Sequence, residues 1–170
     1  MNESIHVVLM GVAGCGKSVV GQRIARLLDL PMIEGDAFHP QSNVEKMARG
    51  EPLDDADRAG WLQILGQQLQ NHPKGAVLAC SALKKKYRDV LRCPVPGLAF
   101  VHLSITPEES QRRVSSRPDH FYPPSLVASQ FEALQDPADE PGVLVVDGTH
   151  PVDDIARQAT QWLRDRTHSP

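Results

Sequence analysis

Apolar, β-branched runs alternate along the chain with stretches of helical period. IHVVLMG at 5–11 is almost wholly apolar, as a strand buried on both faces must be, and predicts a first strand. Ser18–Leu28 follows with Val20, Ile24, Leu27 and Leu28 on one helical face. PMIEGD at 31–36 predicts a short second strand. The helical period returns over Asp54–Leu69, where Trp61, Leu62, Leu65 and Leu69 form the stripe and Asp54, with Asp57 three residues on, forms the cap. AVLACSA at 76–82 predicts a third strand leading into a helix over Leu83–Leu91. LAFVHLS at 98–104 and VLVVDG at 143–148 supply the fourth and fifth strands. A last helix over Val152–Arg164 buries Ile155, Ala159, Trp162 and Leu163. This alternation predicts an α/β domain of three layers, a five-stranded parallel sheet flanked by helices, spanning 1–170 without a linker or repeat.

One interval breaks the rhythm. About forty residues separate the fourth and fifth strands, more than an ordinary connection in a compact domain. Within them RRVSSRPDHFYPPS, at 112–125, is rich in arginine and proline and has no apolar period. A mobile lid that closes over phosphates is the expectation.

Composition narrows the class. With 170 residues and 41% hydrophobic content the chain can bury a substantial core. A net charge of −3 supplies no basic field, so nucleic acid is not an expected partner. No apolar run approaches the ~20 residues that cross a bilayer, so no membrane partner is expected either. Cys15, Cys80 and Cys93 are odd in number and lack metal-ligand spacing, which fits a reduced, cytoplasmic protein.

The chemistry begins in GVAGCGKS, at 11–18. Gly11, Gly16, Lys17 and Ser18 stand at the spacing G-x-x-x-x-G-K-[ST] between a predicted strand and a predicted helix. In such a loop the backbone of Gly11, Val12, Ala13, Gly14, Cys15 and Gly16 cradles phosphates, Lys17 reaches the β- and γ-phosphates and Ser18 offers a hydroxyl to Mg²⁺. The ligand this predicts is a nucleoside triphosphate with Mg²⁺. A guanine-reading N/T-K-x-D tetrad is absent from the sequence, which argues against a GTPase.

IEGDAFHP, at 33–40, places Glu34 and Asp36 at i, i+2, on one face of the predicted second strand and at its carboxyl end, where open α/β sheets bind ligands. Asp36 is the candidate catalytic group that accepts the acceptor hydroxyl's proton, and Glu34 the candidate for the metal shell.

The loop, together with EGDAFHP, NVEKMARGEPLDDADR, CSALKKKYRDVLR and HFYPPSLVASQFEALQDP, resembles gluconate kinase over about residues 7–147. The resemblance implies a P-loop kinase fold similar to shikimate kinase, ATP-dependent phosphorylation of D-gluconate to 6-phospho-D-gluconate, and a homodimer. A shikimate or nucleoside monophosphate kinase is the alternative within the same fold. Two departures stand out: Ala59 and Gly60 where the family commonly has a bulky residue and proline, and Glu34 where many members have aspartate.

Gluconate carries one carboxylate and a row of hydroxyls, so its pocket needs fixed cations and short polar groups. Lys84 and Arg88, at i, i+4, form one exposed helical stripe suited to the carboxylate. The resemblance adds Arg58 as a substrate residue, and His39 can donate to a substrate hydroxyl. In the lid, Arg113 and Arg117 are candidates for stacking on adenine and for neutralising charge on the transferred phosphoryl group, with the division between them open. His120 and Phe121 match the family's lid signature, and 147–150 reads as a loop bordering the base.

Overall fold

A computed structural model describes residues 4–116 and 124–167. Its centre is a sheet of five parallel strands: β1 (Ile5–Met10), β2 (Met32–Glu34), β3 (Gly75–Ala79), β4 (Ala99–Ser104) and β5 (Val143–Asp147). The order across the sheet is β2-β3-β1-β4-β5. From β1 the chain runs outward to β2, returns to β3 and then crosses β1 to β4. That reversal opens a crevice at the carboxyl end of β1.

Alternation along the strands divides the core. Val7 and Leu9 of β1 join α1 (Lys17–Leu28) and α7 (Val152–Thr167) on one face. Val8 and Met10 join α3 (Asp55–Gln70) and α4 (Lys85–Arg92) on the other. β1 is buried on both sides, which accounts for its nearly unbroken apolar sequence.

Helix α3 starts where its cap predicts. Asp54 accepts from the Asp57 amide at 2.8 Å, and Asp57 accepts from the Asp54 amide at 2.9 Å. Ala59 and Gly60 are exposed within it, and nothing lies within 4 Å of a Cβ built on Gly60, so this departure leaves the helix unbroken. On α1, Val20 and Ile24 are buried as expected, but Leu27 is exposed.

The second strand is shorter than the pattern predicts, because the chain leaves it at Glu34 and enters a 3-10 turn over Gly35–Phe38. Asp36 therefore projects from a turn and not from a strand face. The third strand ends at Ala79, and Ala82 adopts a left-handed φ of 46° before α4 begins.

Three helices appear where the apolar period is silent: α2 (Gln41–Ala48), α5 (Pro107–Ser115) and α6 (Pro124–Ala133). The interval read as one long lid thus contains the end of α5 and the start of α6, while Arg117, His120 and Phe121 lie outside the described residues. No described helix is long and apolar enough to cross a membrane.

Candidate active site

The glycine loop joins β1 to α1. Gly11 has φ 145°, and a Cβ there would lie 2.7 Å from Cys15 Sγ and 2.9 Å from the Leu103 carbonyl. Gly16 precedes α1 at φ 101°, a left-handed conformation that side chains disfavour. Lys17 Nζ donates to the Gly11 and Val12 carbonyls at 3.0 and 3.2 Å, so the ammonium is folded across its own loop. Ser18 Oγ donates to Glu34 Oε1 at 2.6 Å, joining the two candidate metal residues.

Neighbouring elements brace the loop. Gln130 of α6 accepts from the Ala13 amide at 2.6 Å, and Ser110 of α5 donates to the Ala13 carbonyl at 2.6 Å. Arg113 donates to the Gly14 carbonyl at 3.0 Å, the Gly148 carbonyl at 2.9 Å and Glu109 at 2.8 Å. It clamps the glycine loop to the turn after β5. The two arginine partners, Arg112 first, hold the Glu109 carboxyl down to about 2. Asp147 turns inward on its own loop, accepting from Thr149 at 2.6 Å.

Beside the loop lies a cavity of about 380 Å³ lined by Lys17, Ser18, Asp36, His39, Arg58 and Trp61, among others. Its size suits a small metabolite. A larger hollow of about 470 Å³ lies at the amino end of the sheet, against His6, Gly97 and Arg166, far from the phosphate loop.

The acceptor wall is built on α3. Trp61 Nε1 donates to the Gly35 carbonyl at 2.8 Å and so fixes the turn that carries Asp36. The Asp36 side chain is 87% exposed to the cavity mouth, with His39 Nε2 3.7 Å from its Oδ1. His39 stacks on Trp61 at 4.0 Å between ring centroids. Burial lowers its proton affinity, against the opposing charge of Asp36.

The cations are arranged differently from the expected stripe. Arg88 is 0% exposed. Its guanidinium donates to Glu140 at 2.6 and 3.0 Å, the Ala82 carbonyl at 2.7 Å and the Gln135 carbonyl at 2.9 Å. It is turned into the protein, where it pins the left-handed turn at Ala82. The expectation that Arg88 lies exposed for a substrate carboxylate is therefore corrected: its partner, 52 residues on, draws it inward.

Lys84 sits at the cap position of α4 and bonds Asp55 at 3.0 Å, a contact that raises its proton affinity. Lys86 and Tyr87 also donate to Asp55, and the three together hold its carboxyl well below the usual range. Arg58 donates to the Tyr87 hydroxyl at 3.1 Å and lies 5.3 Å from the ring centroid, with Lys84 5.6 Å from the same centroid. The structure thus brings Lys84 to Arg58 around Tyr87, and takes it away from Arg88. Sequence reasoning passed over Trp61, Tyr87, Asp55 and Gln130 as site residues; Asp55 lies inside the quoted DDADR block, but no local period marks its partners.

The donor set fits a hard divalent cation. Ser18 and Glu34 offer only oxygen, and among the described residues no group of three or more His, Cys, Asp and Glu gathers elsewhere to hold a metal by itself.

Comparison with known proteins follows the same lines. A family profile described as shikimate kinase matches residues 13–140. The thermoresistant gluconokinase of Escherichia coli K12 is 42% identical over 168 residues, 96% of each chain. The gluconokinase of Gluconobacter oxydans 621H is 45% identical, covering 85% of this chain and 84% of that one. The crystal structure of a gluconokinase from Sinorhizobium meliloti 1021 superposes with a TM-score of 0.90 at 42% identity, over 98% of this chain and 95% of that one. Shikimate kinase from Bacteroides thetaiotaomicron shares the fold alone, with a TM-score of 0.67 at 14% identity. With a phosphate loop on the first strand, an acceptor cavity beside it and this degree of likeness along its length, the chain belongs to the gluconokinase family of shikimate-kinase-like P-loop kinases.

Proposed function

We propose that the protein transfers the γ-phosphoryl group of ATP to D-gluconate, giving 6-phospho-D-gluconate. The observation that carries this reading is the juxtaposition of the phosphate loop with one cavity that holds a carboxylate, Asp36, and a cation, Arg58. Likeness to proteins named gluconokinase supports the choice of acceptor.

In this reading the amides of 11–18 and the dipole of α1 receive the phosphates. Lys17, already aligned by two carbonyls, offers its charge to the transferred group. Ser18 and Glu34 would hold Mg²⁺, which when bound neutralises phosphate charge. Arg58, with Lys84 beside it, receives the acceptor carboxylate. Asp36 orients the acceptor hydroxyl and takes its proton late in transfer, and His39 donates to a hydroxyl oxygen. Arg113 has three of its five N–H groups engaged by protein oxygens, which hold it between the glycine loop and the turn after β5, and there the flat face of its guanidinium stacks on adenine. The charge-neutralising role then falls to Arg117. A homodimer in the cytoplasm fits the family resemblance and the free thiols of Cys15, Cys80 and Cys93.

³¹P NMR of a reaction mixture of enzyme, ATP, Mg²⁺ and gluconate tests the assignment. Transfer to the primary hydroxyl gives a phosphomonoester signal split into a triplet by two adjacent protons. A doublet, from a secondary hydroxyl, or the absence of a new phosphomonoester contradicts it.

A further inference from the structure

His39 and Asn43 stand side by side at the acceptor end of the cavity, and their hydrogen bonds allow one arrangement of protons. Asn43 is 2% exposed. Its Nδ2 lies 2.9 Å from the Asp57 carbonyl and 3.2 Å from His39 Nδ1. An amide nitrogen carries two protons, and both are committed by these contacts. Turning the amide over would set Oδ1 against the Asp57 carbonyl, acceptor against acceptor, so the backbone fixes its orientation. His39 Nδ1 must then accept, and the ring proton sits on Nε2.

The ring is also held in place. Trp61 stacks on it at an interplanar angle of 17°, and Trp61 is itself tied to the Gly35 carbonyl. Nε2 points toward Asp36, whose Oδ1 is 3.7 Å away. That is too long for a hydrogen bond, yet close enough for one oxygen seated beside both groups to meet each of them.

We propose that Asn43 is a positioning residue, which holds His39 as the neutral Nε2–H tautomer so that His39 donates to the acceptor oxygen while Asp36 accepts that hydroxyl's proton. An alcohol oxygen has two lone pairs. Donation from His39 occupies one and leaves the other directed at phosphorus. A histidine proton on the opposite nitrogen would leave the oxygen without this constraint.

The charges around the ring agree with a neutral imidazole. Burial disfavours protonation, Asp36 opposes that effect and Arg58 reinforces it. On the packed helices α2 and α3, Lys46 and Asp57 are paired with each other at 2.7 Å. The kinetic part of this inference rests on the gluconokinase reading; the tautomer does not.

Long-range ¹H–¹⁵N correlation spectra of the full chain, with the His39 signals assigned by their loss in His39→Gln, read the tautomer directly. The expected spectrum at pH 7 shows a protonated Nε2 and a bare Nδ1. An Nδ1–H tautomer or an imidazolium overturns the proposal. In Asn43→Ala the lock is removed, and kcat for gluconate is expected to fall about tenfold, the effect of one hydrogen bond, with the ATP KM unchanged. An unchanged kcat in that variant, with the tautomer also unchanged, overturns the positioning role. Should Asn43→Ala fail to fold, Asn43→Asp serves in its place: a carboxylate can only accept, so it is expected to move the proton to Nδ1 and lower kcat, and retention of bare Nδ1 there overturns the lock. A wild-type chain with Nε2–H and no gluconate turnover supports the lock and counts against the acceptor assignment alone.

Discussion

Replacing Arg88 by methionine separates a structural strut from a substrate anchor. The guanidinium is fully buried and makes four hydrogen bonds, two to Glu140 and one each to the Ala82 and Gln135 carbonyls. Methionine fills much of the volume but leaves the two carbonyls and a carboxylate that is 10% exposed. Removing one member of a buried pair costs about 3–5 kcal/mol. Glu140 retains Arg92 at 2.8 Å, which places the loss near the lower end of that range. At roughly 2–4 °C per kcal/mol for a domain of this size, about 3 kcal/mol corresponds to a fall in Tm of roughly 6–12 °C. Differential scanning fluorimetry of Arg88→Met beside Lys84→Ala measures it. The Lys84–Asp55 contact lies open to solvent, where an ion pair adds little to stability, so Lys84→Ala is expected to melt close to wild type. An Arg88→Met variant with an unchanged Tm and a raised gluconate KM would refute the reasoning, and return Arg88 to the exposed stripe that its spacing suggests.

Three further outcomes are expected. Lys17→Ala abolishes turnover while its Tm stays within a few degrees of wild type, because the ammonium bonds only atoms of its own loop, the Gly11 and Val12 carbonyls and Cys15 Sγ, and Lys17 belongs to neither core cluster; thermal melts with steady-state rates check this. Asp36→Asn lowers kcat about 10²–10⁴-fold with little change in the ATP KM, the range for a positioned acid–base group, and initial rates at saturating gluconate decide it. The Glu140 carboxyl is pushed up by burial but pulled further down by Arg88 and Arg92, so its folded-state affinity for protons lies below the unfolded one. Its contribution to stability is accordingly present above the ordinary glutamate value of about 4.3 and is lost as the pH falls through the lower folded value; urea melts should show Glu140→Gln with a shallower acid dependence than wild type.

Local rules were readable and distant partners were not. The phosphate loop stands out because its glycines and lysine answer to the geometry of one turn. The cap of α3 is equally local, two aspartates three residues apart. Helix α5 carried a signal of the same kind, Thr106 followed by Pro107 and Glu109, with the threonine accepting from the Glu109 amide at 3.1 Å; the lack of an apolar period masked it. Helix α2 gave no such signal, since Val44 is exposed and its buried residue is the polar Asn43. Asp36 was identified on the assumption of a strand, whereas Trp61, 25 positions further along, holds it in a turn. Arg88 misled because spacing alone places it on a face with Lys84, and the carboxylate that turns it inward comes from a loop before β5.

The central claim, that the cavity beside the phosphate loop selects gluconate, is met most directly by ADP release from ATP and Mg²⁺ across gluconate, shikimate, AMP, glycerate and glucose at equal concentrations. The account predicts a kcat/KM for gluconate above that of every other acceptor, and loss of that preference when Arg58, which lines the cavity, is replaced in Arg58→Ala. Faster turnover of shikimate or AMP than of gluconate would contradict it.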